Sequence, residues 1–559
     1  MSQFIQQHRC TLSTLGPVHL GTGEDYLPTH YIIDDGYLHA FDDMALLKGL
    51  GPQGLNNLLK LVEKGDDSAI LAVRREILKH KDDLIPLASH SVYVRDGIEN
   101  TYQKRIVNVA QRETGKDAKN INNALKIART VANPFSHTPE LTGSAIKGAI
   151  RTAWLNQQHL DTPNHRFTQE RDRLVERADQ RGLNKLGTSH SKELLGFQKV
   201  TDDPFYKLKI SDACYQQELA PSEAVFAVSV RRKQQADKQP RSLNTMLECI
   251  SPWRDRCFEF DLRMIDPGNK REDSGCVPTS LKQLTAACNA YYWPKLLSEL
   301  RQLGEQGRYF DESWNKQIQR LCYQQGDLFK AMEQGNAMLL RLGKHSGAVD
   351  KTLDDGRAIK IMGKKGEKPT YRDTTTEVRL AGSRENQQTH LLPFGWVVIE
   401  FDDTNIPALR EVMHQQSAPA RQRLVKEQQR QQAKAETAQK LAEAEAEKAR
   451  RAAEAEAKRQ AEEAAEKARQ EALNNMSEEK RSIEQLRYDL ENNPQLKGAK
   501  TGNPLYVGLK AIVEKSGGWA PEDRKELKEV AEAAFRFLDI NYTKKKTSAN
   551  DLWKKIKDA

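Results

Sequence analysis

The chain has 559 residues, of which 38% are hydrophobic and 30% charged. At about 100–200 residues per domain, that length predicts about three to five domains, and an apolar share below the usual ~45–50% excludes one packed core running the whole length. The net charge of +9 is too small to identify a polyanion partner by itself, so the positions of the charges carry the argument.

The first segment of interest is Leu15-Gly16-Pro17-Val18-His19-Leu20-Gly21-Thr22-Gly23-Glu24. Two glycines one residue apart, Gly21 and Gly23 with Thr22 between, let a backbone turn sharply or approach a phosphate. No GK[ST] follows and no third glycine is correctly spaced, which excludes a Walker loop and a dinucleotide fingerprint. Alone, the pattern reads as a tight turn. Tyr31-Ile32-Ile33 and Tyr37 to Phe41 read as strands joined by Asp34-Asp35-Gly36, a hairpin turn. Helical patterns are expected near 44–83 and 118–132. Lys104, Arg105, Arg112, Lys116, Lys119, Lys126 and Arg129 make this stretch basic.

Glu140-Leu141-Thr142-Gly143-Ser144-Ala145-Ile146-Lys147-Gly148-Ala149-Ile150-Arg151 follows. Thr142 or Ser144 can cap a helix over 144–158, whose first amides favour an anion. Lys147 and Arg151, four apart, share one helical face. The alternative is an ordinary capped helix with a solvated basic face. Ala224 to Val230 and Cys257 to Leu262 alternate as strands, and Arg231, Arg232 and Lys233, with Lys238 and Arg241, form a basic run after the first. Helices are expected over 279–303 and 312–334. A third glycine segment, Leu342-Gly343-Lys344-His345-Ser346-Gly347-Ala348-Val349-Asp350-Lys351, again sets glycines beside cations and a hydroxyl, a composition suited to phosphate or ribose. Gly395 to Phe401 reads as a final strand, and the region as a whole as α+β.

Composition changes near residue 417. From Ala418 to about Asn475 the chain is nearly all Ala, Glu, Lys, Arg and Gln, strong helix formers. Leu441 is the only large aliphatic residue between Val425 and Leu473, so no leucine seam is present. The expectation over 417–476 is a charged helical spacer, with an alanine-rich coiled coil as the alternative. Its full reach would be about 87 Å. A small helical module follows over 477–559. Leu505, Leu509, Ile512 and Val513 form one stripe, and Leu527, Val530, Ala531, Ala534, Phe535 and Leu538 form another. Ser548 and Asp551 make a capping box for a last helix carrying Trp553 and Ile556. Residues 541–559 hold six Lys and two Asp.

The seven cysteines are odd in number and contain no Cys-x-x-Cys pair, which argues for reduced thiols over a disulfide framework or a zinc ribbon. The first ten residues lack the apolar core of a signal peptide, and no run approaches the ~18 apolar residues of a membrane span. A soluble, cytoplasmic chain with no membrane partner is expected. A periplasmic tether, suggested by the Ala/Lys/Glu helix, would need an anchor.

The three glycine segments in this order resemble the RAMP superfamily of CRISPR effector subunits: an early G-x-G after Pro17-Val18-His19-Leu20-Gly21, then Leu141 to Arg151, then the late loop from Gly343 to Gly347. Asp203-Pro204-Phe205 through Ser211-Asp212-Ala213, and Pro393-Phe394-Gly395-Trp396, agree with it. Within the superfamily the chain is most similar to the Csm subunit that closes the 3′ end of the guide RNA in type III-A complexes. The resemblance covers about residues 8–403. It departs from the family pattern at Leu141-Thr142, where Ile-Pro is usual, and has no counterpart after 416.

The resemblance implies a ferredoxin-like, RRM-related core over 1–416 with helical insertions about 44–132 and 279–334, the first being where such proteins carry a thumb. It implies binding of crRNA through its backbone, with target RNA and other effector subunits as partners and no cofactor or metal. The expected RNA contacts are Gly21, Thr22, Gly23, Gly143, Ser144, Lys147, Arg151, Arg231, Arg232, Lys233, Gly343, Lys344, His345, Ser346, Gly347 and Lys351. Related subunits cut RNA with a loop aspartate and a metal. Asp25 is the one candidate here and lacks a second carboxylate, so a binding subunit is expected and a metal-dependent endoribonuclease is the alternative.

Overall fold

The computed structural model describes residues 5–63, 67–108, 125–232, 245–265, 276–323, 325–363 and 366–558. The chain divides into two units, Met1–Gln428 and Gln429–Ala559. The boundary lies twelve residues beyond the expected 416, because 417–428 belongs to the first unit. There Ser417 is buried and bonds Met413 O at 2.7 Å, and Arg423 lies 4.0 Å from the ring centre of Tyr93.

The first unit is built on two sheets. One runs, in spatial order, Ala337–Arg341, Trp396–Phe401, Ile5–Thr14, Arg254–Ile265, Ala213–Tyr215 and Glu140–Leu141, with Leu208–Ile210 also pairing with Arg254–Ile265. Every pairing in it is antiparallel. Trp396–Phe401 is buried along its whole length because it has a strand on either side. The first strand, Ile5–Thr14, is polar and alternating in its outer half and buried from Cys10 inward. That half-polar composition hides it from a search for apolar runs.

The second sheet runs Gly21–Tyr26, Ile127–Thr130, Thr245–Ile250, Ser222–Arg231, His90–Val94, Tyr37–Ala40 and Tyr31–Asp34. Glu377–Gly382 also pairs with Ser222–Arg231, and Leu392–Pro393 with Glu377–Gly382. The expected hairpin is present: Asp34 faces Tyr37 across a two-residue turn with Asp35 at φ 51° and Gly36 at φ 78°. Both positive angles match the turn that suits strand twist. The helix expected over 118–132 is corrected where the chain is described. Ile127–Thr130 is a strand, its β-branched ends buried between neighbours on both sides. The first insertion therefore carries strands as well as the helices Asp43–Val62 and Asp67–Lys79.

The helices Gly143–Asp161 and Leu281–Glu299 pack on each other and against Ala337–Arg341. Tyr292 Oη donates to Ala149 O across them at 3.1 Å. Two helices, His165–Glu176 and Gln180–Leu194, were not legible as apolar stripes. They are strongly polar and are set by caps: Asn164 accepts from Phe167 N at 3.0 Å and Asp179 from Gly182 N at 2.8 Å.

The second unit begins within the helix Ala418–Asn474, which is 57 residues long. Its polar surface carries i,i+4 pairs such as Arg451–Glu447 at 2.6 Å and Arg450–Glu454 at 3.1 Å, each of small stabilising effect. The terminal module has its own core. The expected stripes of Pro504–Lys515 and Pro521–Phe537 meet Ile483, Leu486 and Leu490 of Glu478–Asn492, and Leu552 and Ile556 of Ser548–Asp558. The cap of the last helix is Thr547, whose Oγ1 accepts from Asn550 N at 3.2 Å, rather than Ser548. No helix among the described residues is long and apolar enough to cross a membrane.

Candidate nucleic-acid interface

The three glycine segments lie far apart in sequence and are tied together through two adjacent residues of the first. His19 O accepts from Lys344 N at 2.8 Å, joining the first segment to the third. Leu20 O accepts from Val131 N at 2.7 Å, and Val131 O accepts from Glu140 N at 3.1 Å, joining the first to the second. Gly395 N donates to Pro17 O at 2.9 Å, which adds the Pro393 to Trp396 stretch. The glycines permit this closeness. Gly343 has φ 79°, and a Cβ there would stand 2.4 Å from His19 O, a distance no side chain tolerates.

The third loop is held from beneath by a buried charge network. Arg341 Nη1 donates to Asp350 Oδ2 at 2.6 Å and Nη2 to Glu299 Oε1 at 3.0 Å. Its Nε donates to Phe394 O at 2.9 Å, and Trp396 Nε1 donates to the other Glu299 oxygen at 2.8 Å. Two of the expected RNA contacts here bond the loop's own backbone, Ser346 from a buried position and Lys351 from an exposed one. Ser346 is fully buried and donates to Gly343 O at 2.9 Å, so its hydroxyl closes the loop. Lys351 Nζ bonds the same carbonyl at 2.9 Å. His345, at φ 66°, packs its ring against Phe394. Burial, assisted by Lys344, lowers its pKa to about 3, so it brings no positive charge at neutral pH. Gly347 takes φ 93°. Lys344 is exposed, as is Lys351, and presents a cation outward.

Gly21, Thr22 and Gly23 open the exposed edge strand Gly21–Tyr26. The register against Ile127–Thr130 shifts between Gly21 and Asp25, and Gly23 sits at φ 90° in open space. Such a bulge re-aims an edge strand. Asp25 is exposed opposite Ala128. Among the described residues no group of three or more His, Cys, Asp and Glu side chains could hold a metal ion.

The second segment starts a helix as expected. Thr142 Oγ1 accepts from Ala145 N at 3.4 Å, and Ser144 donates its hydroxyl to Thr142 at 3.2 Å. Gly143 N, however, already donates to the Asp212 carboxylate at 2.7 Å, so a protein carboxylate takes the first amide of the helix. Gly143 is there for closeness, since a Cβ would lie 2.3 Å from Ile210 O. Arg151 is committed too: it pairs with Asp203 at 2.8 Å and lies 4.9 Å from the ring centre of Phe205. Lys147 has cations, Lys209 and Arg151, near it as well as Asp203. Burial and the nearby Lys209 both lower its pKa, and such crowding of like charges favours an anion between them. Lys209 and Tyr206 were missed in the sequence. Lys209 is exposed and its ammonium lies 6.0 Å from the ring centre of Tyr206, a half-exposed aromatic. The Lys-x-Lys alternation at 207–209 was the available signal.

Arg231 ends the strand Ser222–Arg231, Arg232 follows it, and both line a cleft with Gln302, Arg372 and Thr375. Lys233, Lys238 and Arg241 lie outside the described residues, as do Arg112, Lys116 and Lys119. In the remaining basic cluster Arg105 makes a two-pronged pair with Glu385, both bonds at 2.9 Å, and Arg129 reaches Glu24 at 3.5 Å.

The RAMP superfamily model matches residues 11–287. No curated protein matches the chain. A chain of the cryo-EM structure of a Csm–crRNA–target RNA ternary complex from a type III-A CRISPR–Cas system is similar at 18% identity, covering 71% of this chain and 100% of that one with a TM-score of 0.43. The crystal structure of T. onnurineus Csm5 is similar at 18% identity, covering 69% of this chain and 99% of that one with a TM-score of 0.41. The family match spans the first two glycine segments, which are joined through the backbone of Val131, and residues 11–287 belong to the RAMP superfamily.

Proposed function

We propose that the chain is a crRNA-binding structural subunit of a type III CRISPR effector, seated at the 3′ end of the guide. On this reading crRNA, target RNA and other effector subunits are its partners, and it binds RNA without cutting it. The observation that carries the reading is the convergence of the three glycine segments on His19 and Leu20. Glycine-rich backbone beside outward lysines suits phosphates and carries no base code, as a subunit that serves many guides requires. The antiparallel sheet around Ile5–Thr14, with two helices packed on it, supports a ferredoxin-like core. The similarity of residues 8–403 to the Csm subunit that closes the guide supports the 3′ position. Purifying the tagged full chain from cells and sequencing what accompanies it tests the proposal. The expected result is a discrete small RNA within a large multisubunit complex. A chain that elutes alone and free of RNA overturns it.

A further inference from the structure

We propose that the cleft between the end of the strand Ser222–Arg231, the strand Thr370–Arg372 and the helical turn Leu300–Gln306 is a binding site for a terminal phosphate monoester of an RNA strand. The inference rests on the RNA-binding reading and adds a ligand class and a place.

The cleft has a volume of about 610 Å³, ample for a nucleotide end. Three arginines line it, Arg231, Arg232 and Arg372, with one carboxylate, Glu377. Glu377 faces Arg231 directly across the two strands and accepts from Ser229 Oγ at 3.1 Å. Three arginines against one carboxylate leave the lining a surplus of two positive charges. Thr374, Thr375 and Thr376 stand in a row along the wall and offer hydroxyl donors.

Arg232 makes the strongest case. Its Nε donates to Thr375 Oγ1 and its Nη1 to Gln302 Oε1, both at 3.3 Å, and both acceptors are uncharged. Burial is the main influence on this guanidinium and lowers its pKa, with Glu299 pulling the other way and Arg341 opposing. Two other half-buried arginines, Arg151 and Arg105, hold carboxylates, Asp203 and Glu385, whereas the buried Arg254 is satisfied by the carbonyls of Ala220 and Pro252. A guanidinium withdrawn from water and bonded only to neutral oxygens is unfavourable by itself, and an anion beside it removes the cost. The two neutral bonds fix the fork in place, which is how a planar guanidinium is prepared for two-pronged phosphate recognition.

The charge count selects the kind of phosphate. An internal phosphodiester carries one negative charge and needs room for the strand on both sides. A terminal monoester carries about −1.5 to −2 charges at neutral pH and presents three oxygens, which matches two surplus cations and a wall of hydroxyls.

The test uses the full chain and one RNA sequence in three forms: with a 3′-phosphate, with a 5′-phosphate, and with hydroxyls at both ends. Adenosine monophosphate serves as a free-nucleotide competitor. One phosphorylated form should bind at least tenfold tighter than the hydroxyl form, and its identity names the end that is held. Arg232→Gln should reduce that ratio to below twofold, and Arg372→Gln should reduce it at least threefold. The ratio is taken within one protein, so a general loss of affinity does not imitate the effect. Equal binding of all three RNAs by the unaltered chain overturns the site and leaves the RNA-binding reading standing. A preference that survives both substitutions also overturns it, as does competition by adenosine monophosphate equal to that by the phosphorylated RNA. Failure to bind any of the three RNAs would instead overturn the RNA-binding reading itself.

Discussion

The loop from Gly343 to Lys351 and the helix start at Gly143 read alike in sequence: glycines, a hydroxyl and cations in a short span. In the folded chain they do different work. The loop uses its polar groups internally, with Ser346 and Lys351 on the carbonyl of Gly343 and Asp350 on Arg341. The helix start closes its first amide with Asp212 and its arginine with Asp203, yet sets Lys147 beside the exposed Lys209. Composition tells that backbone comes close to something. Which partner satisfies each polar atom decides whether that something is protein or ligand.

This contrast breaks most visibly at Arg341. Arg341→Ala leaves Glu299 and Asp350 buried without their counter-charge, which should destabilise the first unit by about 3–5 kcal/mol. Thermal unfolding monitored through the buried tryptophans reads it. A shift of less than 1 kcal/mol would show that the network is incidental to the loop. Gly343→Val comes next. A side chain at φ 79° costs about 1–2 kcal/mol, and its Cβ also meets His19 O at 2.4 Å. The variant should fail to enter the effector complex while the terminal module keeps its helical signal. Normal assembly would mean that the loop yields.

A smaller effect comes with pH. Burial lowers the pKa of both His345 and His90 from 6.5 to about 3. Both are neutral in the folded chain, whereas the unfolded chain takes up protons near 6.5. Their contribution is therefore complete above pH 6.5 and is lost as pH falls toward 3. Between pH 6.5 and 5 each should account for about 1–2 kcal/mol of lost stability. Urea unfolding at the two values checks this, and His345→Gln should flatten the dependence.

Much of the architecture was legible because apolar strands buried on both faces announce themselves, as Trp396–Phe401 does, and because Asp34-Asp35-Gly36 permits little but a hairpin. The half-polar Ile5–Thr14 and the capped polar helices around Asn164 and Asp179 were not, since their places depend on contacts distant in sequence. The candidate interface was legible as three segments and illegible as individual contacts. Nothing local tells that Ser346 faces inward, or that Arg151 meets an aspartate fifty-two residues away. Lys209 carries little signal because a three-residue strand has almost no pattern.

The smallest expected effect sharpens the same comparison from outside it. Removing 429–559, a cut that keeps Ser417 and Arg423 in place, should leave RNA binding by the first unit within about twofold, since all three glycine segments precede it. It should instead remove a partner contact in a pull-down of the complex. The exposed Lys544, Lys545, Lys546, Lys554, Lys555 and Lys557 are the residues to substitute if that contact is charged.

The central claim is that this surface holds RNA by its phosphates. A salt titration of RNA binding by the unaltered chain and by Lys147→Ala with Lys209→Ala, on two guides of unrelated sequence, tests it most directly. Two lost contacts on a single strand should flatten the log–log salt slope by about 1.4, with the same loss of affinity for both guides. An unchanged slope, or a loss that differs between the guides, would contradict it.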